Sequence, residues 1–146
     1  MGLDGMILVW YHISRMNLIN RNVDYATRAL IFMARANKPT VSVTQMQEAV
    51  GVSRPFLRKI LQKLHQTGIL QAVKGKGGGF ALARDPENIR LSDLVAVLQG
   101  PLKINDCVFE KKLCHLHGAC LLRHKIEAIE LRMLSEIEEI TVKDLI

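Results

Sequence analysis

Three cysteines, Cys107, Cys114 and Cys120, fall within 14 consecutive residues, separated by six and then five others. Sulfur donors at this density select soft metals, which means an iron–sulfur cluster, zinc or copper(I). A disulfide framework is a weak reading, because the number is odd and nothing at the N-terminus reads as a secretory signal. No Cys-x-x-Cys pair occurs, which argues against an ordinary zinc ribbon. His115, His117 and His124 stand close enough in sequence to add a nitrogen donor, although each taken alone reads as a surface side chain. Three thiolates leave one position open on a four-ligand cluster. A weaker oxygen or nitrogen donor, or a donor from another chain, completes it. A ligand that is easily displaced leaves such a centre open to attack by small molecules.

A second concentration of chemistry lies upstream. The chain carries 20 Lys and Arg against 14 Asp and Glu, a net charge of +6. No acidic residue occurs between Glu48 and Asp85, yet Arg54, Arg58, Lys59, Lys63, Lys74, Lys76 and Arg84 do. One stretch therefore holds the whole excess, and the remainder is close to neutral. A local field of one sign suits a polyanion.

The elements that carry these groups follow from periodicity. With 146 residues, 49% hydrophobic and 23% charged, the composition is that of one folded domain with its own core. Val23, Ala26, Ala29, Leu30 and Met33 recur at helical spacing, and Asn37-Lys38-Pro39 ends that helix. Ser42 with Gln45 three positions on forms a capping box for a helix that stops at Gly51. Ser53 is expected to cap a third helix, with Pro55 in its first turn and Leu57, Ile60, Leu61 and Leu64 facing inward until Gly68. Two strands, Ile69 to Val73 and Phe80 to Ala83, flank a glycine-rich tip, and Asp85-Pro86 breaks the second. Ser92 is expected to cap a short helix from Asp93 to Gln99. From Leu121 onward Leu122, Ile126, Ile129, Met133 and Ile137 share one side of a long helix that calls for a partner surface. Thr141 with Asp144 is read as the cap of a last short turn. The fold class is thus mainly α with a small β-hairpin wing: a winged helix-turn-helix plus a long C-terminal dimerisation helix.

A helix-turn-helix lays its second helix in the major groove of DNA. The interface read from the sequence comprises Ser42, Ser53, Arg54, Pro55, Arg58, Lys59 and Lys63, with Lys74, Lys76, Gly77 and Gly78 on the wing. Arg54 or Arg58 is the expected direct reader, because arginine bonds bidentately to guanine. The glycines admit the backbone to phosphates, and Lys74 or Lys76 suits a minor groove or its flanks. A nucleotide-phosphate loop is the competing reading of the glycines. It fails because no Lys-Ser or Lys-Thr pair follows.

These residues together resemble the Rrf-two family of winged-helix regulators. The likeness rests on the run DYATRALIFMA at 24–34, the turn GVSR at 51–54, the wing KGKGGGF at 74–80, the three cysteines and the tail ITVKDL at 140–145. It covers about residues 16–146. The run CHLHGACLLR at 114–123 is most similar to the family's nitric-oxide-sensitive repressors. That resemblance implies a [4Fe–4S] cluster in preference to [2Fe–2S], held by Cys107, Cys114 and Cys120 of one chain and Asp24 of the partner subunit. Another branch uses a histidine three residues after its last cysteine. Here that place is Arg123, with His124 one later. That branch also carries a glutamate in the recognition helix where this chain has Arg58, so its operator does not transfer.

The expected organisation is an N-terminal extension or appended residues at 1–15, a winged helix-turn-helix at 16–100, the cysteine loop at 101–120, and a dimerisation helix with its tail at 121–146. The expected partners are double-stranded DNA bearing a pseudo-palindromic operator and a second copy of the chain. The longest apolar run is about six residues where a span needs about 20, so no membrane segment is expected and a cytoplasmic location is. The expected function is a DNA-binding regulator, a repressor, whose grip on its operator follows nitric oxide, redox state or iron–sulfur status. The rivals are a cluster-free or zinc-stabilised DNA-binding relative, and an iron–sulfur electron carrier or enzyme. No general base, phosphate loop or cofactor fingerprint accompanies the cysteines, so no enzymatic activity is expected.

Overall fold

A computed structural model describes residues 18–103 and 119–146. Helix α1 spans Arg21–Ala36, and its N-cap is Asn20, whose side chain accepts a bond from the Val23 N–H at 3.0 Å. Asp24 in its first turn and Arg35 in its last both complement the helix dipole. Asn37 ends it in the left-handed region with φ 45°. Helix α2, Val43–Val50, starts with the capping box expected of Ser42 and Gln45 and stops at Gly51, φ 74°. Helix α3, Arg54–Gln66, completes the helix-turn-helix.

Strands β1, Leu70–Val73, and β2, Gly79–Leu82, pair antiparallel with Leu70 opposite Leu82 and Val73 opposite Gly79. A 3₁₀ turn at Pro86–Asn88 leads into α4, Leu91–Leu98. The last helix, α5, covers Leu121–Glu139, and a 3₁₀ turn at Lys143–Leu145 closes the chain. The Thr141 N–H and hydroxyl both donate to the Asp144 carboxylate, at 2.8 and 2.7 Å, so the expected terminal cap is present.

One apolar core joins these elements. Leu30, Met46, Leu57, Leu61, Leu64, Ile69, Leu70, Ile89 and Leu94 are all fully enclosed, and Ile137 and Val142 of the C-terminal segment join the same cluster. Each such side chain contributes about 1.5–3 kcal/mol through burial. No described side-chain polar atom is buried without a partner.

The structure corrects three expectations. Ser53 occupies the N-cap position of α3, but its side chain makes no capping bond. Ser92 does not cap α4. The helix begins two residues earlier in effect, with Arg90 at the cap and its N–H directed to the Asp93 carboxylate at 3.4 Å. Apolar Leu91 is drawn into the first turn because it is buried. Strand β1 starts one residue later than expected, at Leu70, because the Ile69 N–H turns back to the Leu64 carbonyl, and β2 starts and ends one residue earlier than expected.

No described helix is long and apolar enough to cross a membrane.

Candidate nucleic-acid interface and cysteine segment

Helix α3 has two distinct sides. Leu57, Ile60, Leu61 and Leu64 are buried, while Ser53, Arg54, Pro55, Arg58, Lys59 and Lys63 are exposed. At 100° per residue, Pro55 and Lys59 lie opposite the buried stripe, with Arg58 on one flank and Lys63 on the other. Gln62 and Gln66 share this outward face and are also exposed. Neither carries a charge, so the acid-free basic stretch does not single them out. The three-residue step from Lys59 to Gln62 would have found the first, and glutamine is a natural partner for adenine.

The Ser53 hydroxyl is exposed and makes no capping bond and no other bond to a described residue. Ser42 differs: its hydroxyl accepts from the Gln45 N–H at 3.3 Å and is committed to holding α2.

The wing is fastened to both helices. At the α3 end, the Ile69 N–H reaches the Leu64 carbonyl at 3.0 Å, and His65 Nδ1 lies 3.1 Å from the Leu70 carbonyl. At the α2 end, Val41 and Phe80 exchange two backbone bonds of 2.9 Å, a third short strand in effect. Val41 directly precedes the Ser42 cap, so β2 and α2 are set relative to one another. Gly79 is required there, because a Cβ would stand 2.2 Å from the Val41 carbonyl oxygen. At the tip Gly77 has φ 80°, and a Cβ on Gly78 would meet the Val73 carbonyl at 2.4 Å. Lys74 and Lys76 are exposed beside them.

Of the seven basic residues in the acid-free stretch, Arg84 is engaged internally, 3.8 Å from Asp93 and donating to the Thr67 carbonyl at 3.4 Å. Arg54, Arg58, Lys59, Lys63, Lys74 and Lys76 make no ion pair with any described residue. Cations left without carboxylate partners are free to neutralise phosphate.

The cysteine segment is only partly described. Cys107, Cys114, His115 and His117 lie outside the described residues. Cys120 is a free, half-buried thiol at the N-cap of α5, its carbonyl accepting from the His124 N–H at 3.2 Å. Arg123, at the place of the other branch's histidine, is bonded to Glu127 at 2.6 Å. Asp24 projects from α1 and is held by Arg28 through both carboxylate oxygens, each at 3.1 Å. Roughly half of each side chain is accessible, so this pair is worth at most about 1 kcal/mol and is readily exchanged. No group of three metal-type donors occurs among the described residues of one chain. The chemistry of the full donor set, three sulfurs and one exchangeable carboxylate, nonetheless fits an iron–sulfur cluster.

Comparison with known proteins bears on these features together. The chain is 31% identical over 125 residues to the HTH-type transcriptional regulator NsrR of Bacillus subtilis, covering 84% of this chain and 86% of that protein. Its fold matches T. potens IscR with a TM-score of 0.68 at 24% identity, over 89% of this chain and 86% of that one. It also matches CymR, the global cysteine regulator of B. subtilis, with a TM-score of 0.69 at 20% identity, over 89% and 96% of the two chains. The Rrf2 family profile, described as iron-dependent transcriptional regulator, matches residues 19–146. A winged helix-turn-helix whose cationic second helix makes no ion pair among the described residues, on a chain that matches this profile over residues 19–146, belongs to the Rrf2 family of transcriptional regulators.

Proposed function

We propose that this protein is a homodimeric DNA-binding repressor whose operator affinity is set by a [4Fe–4S] cluster that responds to nitric oxide, redox state or iron supply. The observation that carries the reading is the set of six cations on the helix-turn-helix and wing that make no ion pair among the described residues, in a chain whose thiol Cys120 starts the helix that leaves the core.

Dimerisation is supported by α5. Leu122 and Ile129 are 67% and 51% exposed along a stripe on which Ile126 and Met133 are half-buried and Ile137 is buried. The helix also carries its charges against its own dipole, with no acid in the first turn and no base in the last. An antiparallel second copy would lay Glu136, Glu138 and Glu139 beside Arg123 and Lys125, covering the stripe and balancing both ends. Two heads related by this axis meet half-sites about 34–36 Å apart, so the operator is pseudo-palindromic. In each head, Arg54, Arg58 and Lys59 approach base edges, Ser53 and Lys63 the backbone, and Lys74, Lys76, Gly77 and Gly78 the flanking groove.

Cys107, Cys114 and Cys120, with Asp24 of the partner subunit, would hold the cluster. When bound, a cluster with one carboxylate-ligated iron supplies a centre open to nitric oxide, oxygen and iron loss. Asp24 is the group that would change partner: its carboxylate holds Arg28 in the structure, and ligation would compete with those bonds. A coupling of about 1–3 kcal/mol between this exchange and the head pose alters DNA affinity by about 5- to 150-fold.

The test is the Cys114→Ala variant beside the wild type, both purified without oxygen. The wild type is expected to be brown, to contain iron and sulfide, and to release its operator on nitric oxide titration, whereas the variant is colourless and unresponsive. Operator binding that ignores both nitric oxide and the loss of Cys114 refutes the sensing reading and leaves a zinc-held or cluster-free DNA-binding relative.

A further inference from the structure

The chain that leaves α5 does not trail away. It returns to the head and is fastened there repeatedly. The Leu91 N–H donates to the Ile140 carbonyl at 2.8 Å, and the Val142 N–H to the Ile89 carbonyl at 2.9 Å, a short antiparallel bridge around Arg90 and Thr141. Val142 is 2% exposed. Beyond it, Lys143 Nζ meets Glu87 at 2.8 Å, and the Arg35 guanidinium donates to the Ile146 oxygen at 2.8 Å. The tail thus touches the start of α4, the turn before it and the end of α1.

Helix α5 itself is held much less firmly. Ile137 is its one buried residue, in its last turns. A helix gripped at one end is a lever on a pivot. Its 19 residues measure about 28 Å. The far end at Leu121 lies about 24 Å from Ile137, so a swing of about 8° about Ile137 moves it by about 3.4 Å, one base-pair step. Apolar burial at Ile137 is non-directional, so it sets the direction of the helix less than fastenings at separate points do. The bridge, the Lys143–Glu87 ion pair and the Arg35–Ile146 hydrogen bond do resist a swing, since they fasten the chain at separate points in more than one direction.

We propose that the tail, residues 140–146, is a latch that sets the angle between α5 and the reading head and so determines which half-site spacing the dimer accepts. Lys143 and the C-terminal Ile146 are positioning residues: they touch no DNA and act through the direction of α5. The proposal rests on the dimeric reading above and adds a determinant of operator specificity that lies far from every DNA-facing residue. Leu145 lines the same open groove as Asp24, so the latch also adjoins the carboxylate assigned to sensing.

The probe is a palindromic duplex enriched from randomised DNA with the full wild-type protein, prepared also with one base pair inserted between half-sites, and as an isolated half-site. The wild type is expected to lose at least tenfold in affinity on the insertion. A variant lacking residues 143–146 is expected to lose less than threefold while its half-site affinity is unchanged. Lys143→Glu is expected to behave in the same direction, and the charge swap Glu87→Lys with Lys143→Glu to restore discrimination. If the truncated chain does not fold, the single substitution and its rescue decide. An undiminished insertion penalty in Lys143→Glu and in any folded truncation overturns the latch. A wild type that sediments as a monomer, or that ignores the insertion, refutes the dimeric reading itself, which is a separate result.

Discussion

The salt dependence of DNA binding follows from the unpaired cations and can be worked out before any operator is known. Lys74 and Lys76 are exposed on the wing and lack carboxylate partners among the described residues. If each neutralises one phosphate per head, a dimer makes four such contacts through the wings. Each contributes about 0.9 to the slope of log affinity against log salt, so replacing both lysines by glutamine makes the slope shallower by about 3.6. Between about 50 and 200 mM salt the wild type therefore loses about 150-fold more affinity than the variant. The wing keeps its shape, because its geometry depends on Gly77, Gly78, Gly79 and the Val41–Phe80 bonds, none of which involves a lysine side chain. The effect is expected to be equal on operator and on unrelated duplex, as phosphate contacts carry no sequence information. Arg58→Ala supplies the contrast, with a loss of about 1–3 kcal/mol per half-site on operator and relaxed discrimination at the base it reads. Fluorescence anisotropy over a salt series, with thermal melts to verify folding, measures all of this. A slope that stays at the wild-type value in the double lysine variant would show that the wing does not lie on the backbone.

Two further outcomes test the architecture. Gly79→Ala forces a Cβ to within 2.2 Å of the Val41 carbonyl, backbone against backbone with nothing flexible to yield, so it is expected to destabilise the fold by about 1–3 kcal/mol and weaken DNA binding; an unchanged melting temperature contradicts the role given to the Val41–Phe80 bridge. The Asp144 carboxyl titrates below its usual range because the Thr141 hydroxyl and backbone N–H both donate to it, with Lys143 adding a smaller attraction. A lowered folded-state value means that this contact's stabilisation is complete above the ordinary carboxylate range and fades as the pH falls through the folded value. Thr141→Val is expected to raise the Asp144 midpoint in a carboxyl-carbon NMR titration, and no movement refutes the assignment.

Much of the local structure was readable from residues a few positions apart. The Ser42–Gln45 box, the left-handed stops at Asn37 and Gly51, and the Thr141–Asp144 cap all formed as their types and spacing imply. Each depends on groups within one turn, whose partners are present whatever the rest of the chain does. The two failed caps differ: Ser53 stands at the N-cap position and its side chain makes no capping bond, whereas Ser92 lies inside a helix whose start follows the burial of Leu91. The outward face of α3 was legible as charge and incomplete as shape: the basic residues were found, whereas Gln62 needed the helix to be viewed as a cylinder.

The sequence alone determined the helical periods, the turn glycines, the acid-free stretch and the three thiols, because composition and short spacing decide all of them. The tertiary structure decided which of the seven basic residues stay unpaired, that Val41 joins the wing as a third strand, and that the tail returns to Ile89 and Leu91. Those pairings join segments about 40 to 50 residues apart in the chain. A backbone N–H or a guanidinium will bond with any acceptor it meets. Which one it meets is settled by how the shared core of Leu30, Leu61, Leu94, Ile137 and Val142 closes, and no local pattern encodes that.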